Sequence, residues 1–393
     1  MTTNKHFYVQ TFGCQMNVRD SEVICGILQK EGFNLTDNPE AADIVIVNTC
    51  SVRQHAEDRV WNAIAKYSDK QIIGLVGCMA QNYKQEIFEK SPKIDFVVGP
   101  QDIAQIAEVV KKLTEKNIFE RKIWETEGQG RPDDIYHHGF YQDKERAFVV
   151  ISEGCSNFCS YCVVPFVRGQ LRNRHYKNII REIEEGIDKG IVEFTLLGQN
   201  VNAYKYEDFD TFGDKPQCKP IGVYECVDFI KLAKSINLIK GLKEFSFLTS
   251  HPKDTTVELF KAMADLKKLK KHLHLPLQSG SDRILKMMNR GYNKKFYLDL
   301  VENYRKIIKD GLLTTDIMVG FPTETERDFQ DTCALVKQIE FNAAYIFKYS
   351  ARPRTEAEKL ADDVEKKEKE RRHRVILDLQ RAISNKLKVK RKK

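Results

Sequence analysis

Three cysteines, Cys155, Cys159 and Cys162, fall within eight residues in the segment FVVISEGCSNFCSYCVVPFVRG, spaced C-x-x-x-C-x-x-C. As thiolates, three such side chains bind metal and leave one position open. A structural zinc site closes its tetrahedron with a fourth Cys or His, which here would come from elsewhere in the chain. Three thiolates on a 4Fe-4S cluster instead leave one iron free to bind a group that reacts. Spacing alone favours the cluster and leaves the zinc knuckle open. The β-prone run FVVIS ahead of the triplet places it on a loop leaving a strand, with the aromatic Tyr161 inside it.

Three further cysteines occupy equivalent places upstream: Cys14 in TFGCQMN, Cys50 in VNTCSVR and Cys78 in VGCMAQ. Each closes a short β-prone run. FYVQTF, IVIVNT, IIGLVG and DFVVG alternate with helical stretches starting near Asp20, Ala56, Tyr83 and Ile103. That alternation predicts an open, Rossmann-like parallel sheet over residues 1–117 with helices on both faces. Ligands of such sheets bind beyond the carboxyl ends of the strands, so cysteines at three strand ends can converge on a second metal site. Buried cysteine is also common in α/β cores, which is the plainer explanation of any one of them.

Residues 118–145 lack sustained periodicity and include GQGRP and DDIYHHG, which predicts a linker with His137 and His138 on its surface. From Arg146 the alternation resumes. AFVVIS, EFTLLG, EFSFLT, HLHLPL, TTDIMVG and AAYIFKYS, with helices near 178–189, 223–235, 255–266, 294–309 and 326–339, predict a partial (β/α)6 barrel over 146–354. Its chemistry is expected at the carboxyl ends of the strands. The stretch from Tyr204 to Gly222 reads as a surface insertion, and Cys25, Cys218, Cys226 and Cys333 as ordinary cysteines. Residues 355–393 carry Leu360, Val364, Val375, Leu379, Ile383 and Leu387 at helical spacings, predicting an amphipathic helix with a frayed KVKRKK tail.

A chain of 393 residues has room for two or three domains. It contains no apolar run of membrane-spanning length, and MTTNKHFYV lacks a signal-peptide profile. Ten cysteines without a secretion signal argue for a reducing compartment, so a cytoplasmic protein is expected, away from membranes. From Arg352 to Lys393 there are 16 basic and 8 acidic residues, against 48 of each elsewhere, so the formal charge of +8 lies in the last 42 residues. Such a tail is either a solvated end or a polyanion-binding extension.

Taken with TLLGQNVNAY, TSHP, HLHLPLQSGSDRIL and IMVGFPTET, the cysteine segments resemble the radical S-adenosylmethionine methylthiotransferase family. TLLGQNVNAY is similar to its tRNA branch, the MiaB-type enzymes. The resemblance implies two 4Fe-4S clusters, a radical one on Cys155, Cys159 and Cys162 and an auxiliary one on Cys14, Cys50 and Cys78. It implies insertion of a methylthio group at carbon 2 of N(6)-isopentenyladenosine at tRNA position 37. The partners implied are a tRNA anticodon loop, an electron donor and a sulfur source, and a monomer is expected. S-adenosylmethionine binding is implied for Tyr161, Gly198, Gln199, Gln278, Ser279, Gly320 and Glu324, although Gly and Ser punctuate strand ends without any ligand.

Three places depart from the family pattern: Thr323 and Arg354 stand where glycine is usual, and RGQLRNR replaces RGxExSR. The family continues into a β-barrel RNA-binding module, whereas this sequence stops in KVKRKK, so RNA affinity is expected from the barrel surface and the tail. Within the same chemistry, a threonylcarbamoyl-adenosine tRNA or a ribosomal protein is an alternative substrate. From another class, the chain would be a non-catalytic iron-sulfur or zinc protein that binds RNA or senses redox state.

Overall fold

The computed structural model describes residues 4–51, 54–115, 122–128, 130–207 and 226–391. The chain opens with β1 (His6–Thr11), α1 (Gln15–Lys30), β2 (Asn34–Leu35), β3 (Ile44–Thr49), α2 (Gln54–Ile64) and β4 (Ile72–Gly77). There follow α3 (Cys78–Tyr83), α4 (Glu86–Lys90), β5 (Phe96–Val98), α5 (Ile106–Glu115) and β6 (Ile123–Glu125). These six strands form one parallel sheet in the order β2-β1-β3-β4-β5-β6. The runs IVIVNT and IIGLVG are buried along their whole length because helices cover both faces. Ile44 and Ile46 pack with α1 and α5, while Val45 and Val47 pack with α2, α3 and α4.

Several local expectations change. α1 starts at Gln15 rather than near Asp20, because Cys14 and Asn17 form a capping box. The helix expected from Tyr83 is two short ones, α3 and α4, broken at Lys84 with φ +48°. The stretch expected to be a linker contributes β6 to the sheet edge and a 3-10 turn at Asp133–His138 that packs under α1. Within that turn His137 Nδ1 lies 2.8 Å from Glu185 Oε2, so this histidine is paired rather than simply solvated.

The second part comprises β7 (Arg146–Val150), β8 (Ser152–Glu153), α6 (Val164–Val167), β9 (Arg172–Asn173), α7 (Tyr176–Asp188), β10 (Glu193–Leu197), β11 (Lys205–Glu207) and β12 (Cys226–Asp228). Then come α8 (Phe229–Leu238), β13 (Glu244–Phe247), α9 (Val257–Asp265), β14 (His272–His274), α10 (Asp282–Met287) and α11 (Lys294–Ile307). It ends with β15 (Leu312–Val319), α12 (Glu326–Ile339), β16 (Ala343–Lys348) and α13 (Lys366–Arg391). Parallel β7, β10 and β13 are joined through a Phe245–Leu269 bridge to parallel β14, β15 and β16. All six expected barrel strands are present, in chain order around an incomplete barrel.

The expected insertion starts with a fully buried residue, Tyr204, whose hydroxyl donates to Arg174 O (2.8 Å), followed by the β11–β12 ladder. Cys218 and the rest of that stretch lie outside the described residues. Cys25 and Cys333 are core residues.

α13 is a helix from Lys366 to Arg391, so the tail is helical rather than frayed through that residue, and Leu360 and Val364 precede it. Its buried face runs through Arg372, Ile376, Gln380 and Ile383, while Val375 is exposed. The helix leans on β16 and α12. Gln380 Nε2 donates to Phe341 O (2.8 Å) and Arg372 Nη1 to Glu324 Oε2 (2.8 Å).

Candidate active site

β1, β3 and β4 end side by side, and their turns bring Cys14, Cys50 and Cys78 together. Asn17 Nδ2 donates to Asn48 Oδ1 and to Thr49 O, both at 3.0 Å, and Asn48 Nδ2 donates to Asn17 O (2.8 Å). Thr49 Oγ1 donates to Val76 O (2.7 Å), which ties the third strand end to the second. The backbone must pass close here. A Cβ on Gly77 (φ +92°) would sit 2.6 Å from Asn48 Oδ1 and from Thr49 O, and one on Gly13 would sit 2.6 Å from Cys50 Cβ. Cys50 and Cys78 are buried and Cys14 is exposed. A hydrogen bond from Cys50, the nearby Arg168 and the first amides of α1 hold the Cys14 thiol down at about 6. Burial pushes Cys78 up, and Arg168 opposes it.

The radical-type triplet sits on a loop closed at its base by the β8–β9 pair. Gly154 (φ +72°) is forced by that closure, since a Cβ there would lie 2.1 Å from Gln170 O. Ser160 N–H donates to Met288 O (3.0 Å) and Ala357 N–H to Ser160 O (2.7 Å), so the loop is pinned to the ends of α10 and the segment after β16. Arg290, buried, donates through Nη1 to Cys159 Sγ (3.3 Å) and lies 3.4 Å from the Tyr161 hydroxyl. Tyr161 packs with Met288, Phe321 and Tyr349 in an apolar wall. Burial, then the neighbouring Cys159, push Cys162 up to about 12.

The two cysteine sets are joined through the segment after the triplet. Cys78 packs against Val163, the residue after Cys162, and against Val167. Arg168, at the end of α6, donates through Nε to Cys78 Sγ (3.3 Å) and through Nη2 to Asp20 Oδ2 (2.7 Å). Arg131 joins Asp20 (2.6 Å) to Glu153 (3.1 Å), and Glu182 is shared by Arg19 (3.0 Å) and Arg174 (2.6 Å). These ion pairs are buried between α1 and the barrel, where losing one partner costs about 3–5 kcal/mol. They therefore hold the two cysteine sets at a fixed separation.

Three barrel strands end in polar atoms without partners. Ser152 Oγ, Gln199 Oε1, Ser250 Oγ and His251 Nε2 are buried and unpaired, at the carboxyl ends of β7, β10 and β13. Gly198 belongs here too, because a Cβ on it would meet Ser152 Oγ at 2.4 Å. The other expected cofactor contacts have these partners within the protein. Gln278 (φ +68°) extends the β15 pairing through its backbone. Ser279 is fully buried beside Thr332 Oγ1 (3.4 Å) and accepts from Ser281 N–H. Gly320 is covered by Lys369, and Glu324 accepts from Gly320 N–H (2.6 Å) and from Arg372. Burial raises Glu324, and one of its oxygens stays unpaired.

Among the described residues no three His, Cys, Asp or Glu side chains stand as one metal ion would hold them. Thiolates that each cap a different iron of a cluster stand further apart than the ligands of one ion. Both sites offer thiolates and no carboxylate, with buried guanidinium donors aimed at sulfur, which fits an iron-sulfur cluster. Arg168, Arg290, Ser152, Ser250 and His251 escaped the sequence reading, the two arginines because the thiolates they meet lie far away in the chain. TSHP was the one signal for Ser250 and His251.

With this geometry, the comparisons with known proteins agree. Residues 149–336 match the radical SAM superfamily, and residues 6–99 match the uncharacterized protein family UPF0004. The fold is similar to that of a radical S-adenosylmethionine methyltransferase, TsrM, from Kitasatospora setae (TM-score 0.63, 13% identity, 90% of this chain and 75% of that one). The chain is thus a radical S-adenosylmethionine enzyme.

Its sequence is 39% identical over 391 residues to a tRNA-2-methylthio-N(6)-dimethylallyladenosine synthase of Carboxydothermus hydrogenoformans, covering 97% of this chain and 84% of that protein. It is 41% identical to the protein of the same name from a Thermoanaerobacter species, covering 97% and 79%. The chain belongs to the tRNA-2-methylthio-N(6)-dimethylallyladenosine synthase family. Among the described residues no helix is long and apolar enough to cross a membrane.

Proposed function

We propose that this chain methylthiolates carbon 2 of N(6)-isopentenyladenosine at position 37 of tRNA. Cys155, Cys159 and Cys162 would hold the radical 4Fe-4S cluster, and Cys14, Cys50 and Cys78 an auxiliary one. The observation that supports this reading is the packing of Cys78, from the first set, on the segment that follows the second, against Val163 and bonded to Arg168. Two separate clusters in separate pockets would not serve one substrate atom.

An aromatic carbon–hydrogen bond offers no acidic proton to a general base, so no side chain here can open it alone. When bound, the clusters and S-adenosylmethionine supply the carbon radical that takes the hydrogen and the sulfur that replaces it. The residues of the chain bind and orient. Ser152, Gln199, Ser250 and His251 present unpaired polar atoms to the amino-acid and ribose parts of S-adenosylmethionine. Tyr161, Phe321 and Tyr349 line the neighbouring space with apolar surface and keep water from it. Arg168 and Arg290 donate to one thiolate in each set, and such hydrogen bonds help set cluster potentials. An anticodon loop suits this chemistry, since its unpaired base can be splayed out of the strand.

The test separates the two cysteine sets. Cys50→Ala should still form deoxyadenosine from S-adenosylmethionine under reduction but make no methylthio product. Product at the parental rate would remove Cys50 from the sulfur-carrying site.

A further inference from the structure

Non-glycine residues with positive φ cost free energy and persist where the surroundings hold them for a purpose. Two lie on or against the triplet loop: Phe158 at +46° and Arg354 at +70°. Arg354 N–H is held by Glu358 Oε2 (2.8 Å), and its Nη2 donates to Asn82 Oδ1 (2.9 Å). Asn82 in turn donates to Ser51 Oγ (3.1 Å), the neighbour of Cys50. The guanidinium therefore spans from the end of β16 to the Cys50 site. On the way its Cζ stands 6.0 Å from the centre of the Phe166 ring.

Phe166 is 36% exposed and Arg354 is exposed. A partly exposed aromatic ring with a guanidinium over it, four residues beyond Cys162, is not core packing. Its chemistry is that of a surface on which an unpaired base stacks, because aromatic rings and guanidinium planes both offer flat, polarisable faces to a π-system.

We propose that Phe166 and Arg354 form a stacking platform for an unpaired nucleobase next to the modified adenosine. The proposal rests on the RNA substrate proposed above and adds the surface that orients it. Arg354 is a positioning residue here, and its left-handed backbone and the bond to Asn82 hold the guanidinium beside the Phe166 ring.

The test uses full-length, anaerobically reconstituted protein and an RNA anticodon stem-loop carrying N(6)-isopentenyladenosine, at one fixed salt concentration. Stacking of one base is worth roughly 1–3 kcal/mol, so Phe166→Ala should weaken binding about 5- to 150-fold. Phe166→Tyr should restore it, and Arg354→Ala should weaken it less. Two further RNAs lack the base on one or the other side of the modified adenosine. With one of them the parent should lose the same factor, and Phe166→Ala should then bind as the parent does.

A structural defect would weaken all three RNAs alike, and that result would overturn the platform. Equal binding of parent and Phe166→Ala to the intact RNA would overturn it as well. A parent protein with no affinity for the RNA would instead sink the substrate reading first, and the platform with it.

Discussion

Gly77→Ala is the sharpest test of how the first cysteine site is built. Holding an L residue at the φ of +92° and ψ of −155° found there, a region that essentially only glycine adopts, costs about 1–3 kcal/mol. The added methyl would lie 2.6 Å from both Asn48 Oδ1 and Thr49 O. Thr49 O is backbone in the middle of a sheet and cannot give way, so the strain falls on the Asn17–Asn48 pair. Each buried hydrogen bond lost there costs about 1 kcal/mol. Together these come to roughly 3–5 kcal/mol, a large share of the ~5–15 kcal/mol that holds a typical domain. Both tryptophans, Trp61 and Trp124, belong to the first sheet and its helices, so urea unfolding followed by tryptophan fluorescence reports on that unit. The midpoint should fall, and iron bound after reconstitution should drop toward one cluster per chain. An unchanged midpoint with full iron content would refute the close-packed account of the strand ends.

Three other outcomes follow from the same structure. Cys159→Ala should remove the iron and sulfide of one cluster and abolish cleavage of S-adenosylmethionine, measured as deoxyadenosine; retained cleavage would exclude Cys159 as a ligand. Burial, with Arg290 and Lys253 nearby, holds His251 down at about 2. The unfolded chain gains a proton below about pH 6.5 that the folded one refuses, so stability should fall by about 1.4 kcal/mol per unit from there toward pH 5. His251→Gln should flatten that slope in urea titrations, and an unaltered slope would place the titration elsewhere. Leu387 packs on the barrel core and Lys386 pairs with Glu340, so a cut after Leu387 leaves the fold intact. It should flatten the salt dependence of RNA binding by about 0.7–0.9 for each phosphate that the tail no longer neutralises, and an unchanged slope would mark the tail as a solvated end.

What could be read in the chain, and what could not, follows from range. The six barrel strands and the four central runs of the first sheet were legible because each is an apolar stretch bounded by turn residues. β2 and β6, of two and three residues at the two sheet edges, are too short to show a period. The inner face of α13 was misjudged by one position, Val375 for Ile376, because charged residues line both faces and Arg372 and Gln380 are buried by partners in α12 and its neighbours. The cysteines were legible by spacing and by their place at strand ends. Arg168 and Arg290 were not, since they reach thiolates 90 and 131 residues away. The two glycine-to-other departures also gain a reason in the fold, since Thr323 and Arg354 both adopt the left-handed backbone that glycine holds without strain.

The central claim is that one chain carries two clusters and uses them together on a tRNA base. The most direct measurement is nucleoside analysis by mass spectrometry of tRNA bearing N(6)-isopentenyladenosine, incubated with reconstituted protein, a reductant and S-adenosylmethionine. The account predicts the 2-methylthio derivative of that nucleoside at position 37, accompanied by deoxyadenosine. Protein that holds stoichiometric zinc without sulfide, or that forms deoxyadenosine and leaves this nucleoside untouched while modifying a different substrate, would contradict it.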